Sequence, residues 1–142
     1  MSLASLLRTG QLKEHRADAG EIGRLLAAAE RSLADARVAA VSAETRFDAA
    51  YRALIQIGLA TLMVQGYRPD TNRPGHHVTI IQALPITLGV EERQVAVLDA
   101  LRRKRNLVDY TGEDIDDASV AACIEAAQGL LRQAKGRMGK GK

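Results

Sequence analysis

The stretch Leu98–Tyr110, LDALRRKRNLVDY, decides how this chain is read. Leu98, Leu101, Arg105 and Val108 lie three, four and three residues apart, so on a helix they share one stripe. Arg105 therefore sits on an apolar face, while Arg102, Arg103 and Lys104 fan toward solvent. A guanidinium stays charged in a protein. A helix sets one on such a face with a carboxylate, phosphate or aromatic partner, or lets its long stem snorkel to water.

Working outward, the same helical period continues in both directions. Glu91 and Glu92 suit the N-terminus of the Arg105 helix, where the helix dipole is positive, and Gly112 ends it. Asp114, Asp116 and Asp117 then precede a last helix with the stripe Val120, Cys123, Ile124, Ala127, Leu130, Leu131 and Ala134. Upstream, His76–Leu84 reads as a short helix that Pro85 breaks or kinks, with Gly89 closing the stretch. The segment Gly66–Gly75, GYRPDTNRPG, is a loop, because two prolines and the Asp-Thr-Asn trio resist helix.

Two longer helices come before that loop. Asp18 with Glu21 has capping-box spacing, and Ile22, Leu25, Leu26, Ala29, Leu33, Ala36 and Ala40 follow at helical intervals to about Val41. Ser42 caps the next helix, whose stripe is Phe47, Ala50, Leu54, Ile57 and Met63, and Gly66 stops it. Leu3–Leu7 makes a short apolar turn. No period-two strand and no internal repeat is visible, and HVTII is the one β-like run. The expectation is an all-α, up-and-down bundle of four to five helices with an extra short N-terminal helix. Residues 1–134 form one domain, with 1–17 as an N-terminal arm. Residues 135–142, KGRMGKGK, form a disordered basic tail, since glycine recurs every second or third place.

Composition excludes several classes. The 142 residues suit one domain, and with Phe47 as the only phenylalanine and no tryptophan the core is built from aliphatics and alanine. Cys123 is alone, so no intramolecular disulfide forms, and a reducing, cytoplasmic setting is expected. No apolar run reaches the length of a membrane span, so no membrane partner is expected. The net charge of +3 becomes −1 once the four basic residues of the tail are set aside. There is no phosphate-binding glycine loop, no CxxC and no HExxH. His76 and His77 are adjacent and point about 100° apart on a helix, so they cannot ligate a metal from one face. No metal and no cofactor is expected.

The order of three pieces resembles a known family. RFDAAYRALIQIGLATLMVQGYRP (46–69) carries Asp48 and Tyr51, GHHVTIIQALPITLG (75–89) follows, and LRRKRNLVDYTGEDI (101–115) leads into an acid-started helix. Together they look like the HEPN (higher eukaryote and prokaryote nucleotide-binding) superfamily of small helical bundles. The resemblance implies a homodimer. It also implies either a metal-independent ribonuclease, often the toxin of a toxin–antitoxin pair or a neighbour of a small nucleotidyltransferase, or a bundle that has lost that chemistry. The family's motif is an arginine beside a polar residue, with a histidine after four to six intervening residues. Arg105 and Asn106 match its start, but the histidine is missing, and Tyr110, Thr111 or Gly112 stands in its place.

Loss of the histidine matters, because metal-free RNA cleavage needs a group that moves a proton near neutral pH. Tyrosine titrates near pH 10. Three readings follow. The bundle lacks nuclease activity and binds a nucleotide, RNA or protein partner, such as a cognate nucleotidyltransferase or antitoxin. Alternatively, it is a ribonuclease using Arg105 and Asn106 with Tyr110 or His77. Or it is a structural dimerisation domain in which Arg105 pairs with Asp109 or Asp48. In the binding reading, Arg102, Arg105 and His77 hold the phosphate.

Overall fold

Four side chains fix where the first three helices start. Ser2 and Ser5 make a reciprocal capping box, Asp18 accepts from the Glu21 amide at 2.7 Å, and Ser42 accepts from the Thr45 amide at 3.3 Å. In the computed structural model, which describes residues 1–140, these caps begin α1 (Leu3–Arg8), α2 (Ala19–Ala36) and α3 (Ala43–Val64). Strands β1 (Leu12–Glu14) and β2 (Tyr67–Pro69) follow α1 and α3, and α4 (His76–Leu88), α5 (Glu92–Thr111) and α6 (Asp117–Lys140) complete the chain. With 73% helix and 4% strand, the protein is an all-α helical bundle.

Helix α3 is the centre. It packs against α2 on one side, α6 on another and α4 on a third. Its periodic residues Phe47, Ala50, Leu54, Ile57 and Met63 are all buried. Contrary to the expectation from sequence, α3 is long and apolar enough to cross a membrane, but 61% of that window is buried inside the bundle. Gly58 lets α4 come close: a Cβ there would collide with Cγ2 of Ile80.

The structure departs from the sequence reading at five places. Helix α2 ends at Ala36 rather than near Val41. Arg46 of α3 donates to the Ala36 carbonyl at 2.8 Å, which satisfies an end-of-helix acceptor and fixes the reversal there. A two-stranded antiparallel sheet, unseen in the sequence, pairs Leu12 with Pro69 and Glu14 with Tyr67. Three-residue strands are too short to show alternation. The sheet, together with Leu6 and Leu12 buried against Leu62, Ile80 and Ala83, packs the expected N-terminal arm onto the bundle. Helix α4 takes up the β-like HVTII run and continues past Pro85 to Leu88.

The fifth departure is the tail. Helix α6 does not stop at Ala134 but runs to Lys140. Helical glycine costs about 1 kcal/mol relative to alanine, and long-range contacts offset that at Gly136. Lys135 pairs with Glu30, Arg137 donates to the Thr87 carbonyl at 2.6 Å, and Met138 packs on the main core. Residues 141–142 of the expected tail lie outside the described residues.

Candidate functional site

Phe47, Ala50 and Leu54 anchor α3 in the core, and that orientation carries Asp48 and Tyr51, one turn apart, toward α5. Tyr51 is only 2% exposed. From α5, held by buried Leu98 and Leu101, Arg105 lays its guanidinium over the Tyr51 ring, 5.0 Å from the ring centre. A cation on an aromatic face is attracted by the ring quadrupole. From the first turn of α4, His77 reaches the other end of the same tyrosine, with Nδ1 3.0 Å from the phenol oxygen. His76 stands edge-on to His77, ring centres 4.8 Å apart.

Arg105 and Asp48 face each other at 3.6 Å, with 32% and 48% of their side chains exposed. That separation is an ion pair but too long for a hydrogen bond. The Arg105 Nε is buried and has no hydrogen-bond partner. The carboxylate partner is thus Asp48, not Asp109, which lines a cavity of about 230 Å³ beside Arg105 together with Glu44 and Asp48. Three acids around one arginine make that side unfriendly to anions. An anion would reach Arg105 from the side of Tyr51, His77 and Arg102.

Burial pushes the Tyr51 hydroxyl up to about 12, although Arg105 and Arg102 pull the other way. Burial, then the neighbouring His76, Arg105 and Arg102, lowers His77 to about 4. Both groups are therefore neutral at pH 7, and the imidazole tautomer sets which of the two donates in their hydrogen bond. Neither group is tuned to exchange a proton near neutrality. Cys123 is no nucleophile: it is buried, and its thiol is held at about 12 by burial and by Asp48.

Of the residues read from sequence, Arg105 and His77 come together through Tyr51. Arg102 contributes its field but is engaged with Asp99 at 2.9 Å. Lys104 pairs with Asp116 at 3.0 Å, and a hydrogen bond from the Ser119 hydroxyl, then this contact, hold the Asp116 carboxyl below the usual range. Asn106 is exposed, and Tyr110 is 91% exposed and makes no part of the cluster. The sequence reading assigned Tyr51 no role. Its one signal was its place beside Asp48 in the stretch that carries the family resemblance. No group of three metal-ligating side chains occurs among the described residues. No known protein family matches the chain, and no curated protein matches it.

The His77 shift has a consequence for stability. Its folded value of about 4 lies below the ordinary 6.5. Between those values the unfolded chain binds a proton that the folded chain does not, so stability falls as pH drops from about 6.5 toward about 4 and is undiminished above. Urea midpoints measured across that window should fall with pH in the wild type and less steeply in His77→Phe. An equal slope in both would assign the loss to other groups.

Proposed function

We propose that this bundle is a HEPN-like nucleotide- or RNA-binding module that has lost ribonuclease chemistry, with Arg105 as its phosphate anchor. The observation that carries the reading is the Arg105 guanidinium, about a third exposed and braced on Tyr51, whose contact from Nε to Asp48 is too long for a hydrogen bond. A guanidinium matched so loosely suits a phosphate oxygen at its outer N–H groups. His77, bonded to the Tyr51 hydroxyl, adds a second polar ring to the cluster. The neutral, poorly poised His77 and Tyr51 support binding over proton transfer. A homodimer fits the same reading: Leu107 and Tyr110, three apart on α5, expose an apolar strip near its C-terminal end. Tyr110 then belongs to an interface rather than to a catalytic pair.

A second reading has one observation in its favour. The Arg105–Asp48 pair joins α3 to α5, as a purely structural arginine would. The two readings separate on RNA binding. By fluorescence anisotropy with a short single-stranded RNA, Arg105→Ala should weaken binding by about tenfold or more, the worth of a charge-assisted contact. Lys104→Ala, which removes a general surface charge, should weaken it only about twofold. No metal-free cleavage should appear. Equal effects of the two substitutions would favour the structural reading. Cleavage lost in His77→Ala or Tyr110→Phe would make that residue a proton-transfer group and overturn the inactive one.

A further inference from the structure

The first two turns of α2 carry an apolar stripe that the bundle leaves half covered. Ile22, Leu25 and Leu26 are partly exposed, whereas Ala29, Leu33 and Ala36 on the same stripe are buried. Ile22 and Leu26 form one wall of a cavity of about 570 Å³, with Val64 of α3, Leu88 of α4 and Met138 of α6 opposite. Gly23 and Ala134 contribute little bulk, which keeps the space open. Its volume falls within the range of roughly 300–1,000 Å³ common to small-molecule pockets.

The polar groups of this cavity are few and mostly committed. Thr61 donates to the Gly58 carbonyl at 2.8 Å and lies 3.2 Å from the Thr87 hydroxyl. Among the described residues, Arg137 is the one charged side chain in the lining. A single N–H of its guanidinium is held by the Thr87 carbonyl, and no carboxylate pairs with it among the described residues. The remaining donors of that planar fork match a carboxylate. One cation at the edge of an apolar slot calls for one anionic head on an apolar tail.

We propose that this cavity binds a medium-chain fatty carboxylate, its tail between α2 and α3 and its head on Arg137. The site is independent of the Arg105 cluster. Along α3, Tyr51 and Val64 are thirteen residues apart, roughly 20 Å at the helical rise. Failure of one site therefore says nothing about the other.

The test is calorimetric titration of the full chain with decanoate below its micelle concentration, with decanol as the uncharged counterpart. Decanoate should saturate at one per chain and bind about tenfold tighter than decanol. Arg137→Gln should remove that advantage and leave decanol binding unchanged. Gly23→Leu should abolish both, because a side chain there enters open space, with no atom within 4 Å of its Cβ. Leucine is also a better helix former than glycine, so this variant should melt no lower than the wild type. Absence of saturable binding, equal affinity for decanoate and decanol, or unchanged binding in either variant would overturn the assignment.

Discussion

Phe47→Ala is expected to lower the free energy of unfolding by about 3–5 kcal/mol. Phe47 is 1% exposed and is the only phenylalanine in a chain without tryptophan. It belongs to the main core together with Tyr51, Leu54 and Val120, close-packed surroundings that relax only in part around a lost ring. The cavity should therefore persist, and a persistent cavity adds to the lost transfer energy. Total stability for a domain of this size is about 5–15 kcal/mol, so the variant should be partly unfolded at 37 °C. Urea denaturation followed by far-ultraviolet circular dichroism measures the change. A loss below about 1 kcal/mol would mean that the α3 stripe is not the core.

Asp48→Asn is expected to tighten phosphate binding by about tenfold, opposite in sign to Arg105→Ala. In the free protein the Asp48 carboxylate faces Arg105 and competes with any incoming anion, with Glu44 and Asp109 adding negative charge on the same side. Neutralising Asp48 removes both the competitor and the nearest repulsion. Because the pair is a third to a half exposed, its own contribution to stability is small, on the order of 0–1 kcal/mol. A purely structural pairing predicts the reverse pattern: a modest loss of stability and no gain in affinity. Titration with adenosine 5′-monophosphate, alongside thermal melts, separates the two.

Local periodicity explains what the sequence made legible. Helices α3, α5 and α6 declare their buried faces within a few turns, and that was enough to turn Arg105 inward. Non-local packing explains what it hid. His77 joins Arg105 only because α4 crosses α3 at Gly58, and Tyr51 stood out in sequence only within the family resemblance. The β1–β2 pairing joins residues more than fifty positions apart, and the last turns of α6 depend on Arg137 and Met138 meeting distant partners. Tyr110 stands apart from the Arg105 cluster of its own chain for a geometric reason. Helix α5 stays helical through Thr111, and five positions along a helix turn about 140° away from Arg105. A spacing that resembles a motif put Tyr110 beside Arg105 on paper, whereas the helix puts it in solvent.

The most direct test of the phosphate-anchor account is the imidazole proton resonance of His77, followed by nuclear magnetic resonance while adenosine 5′-monophosphate is added. An anion held by Arg105 on the Tyr51 side lies next to His77 and favours its charged form, so the pKa should rise from about 4 toward neutrality and the resonance should shift saturably. The same titration of Arg105→Ala should leave His77 unmoved. A wild-type His77 that does not respond, or one that responds equally without Arg105, would contradict the account.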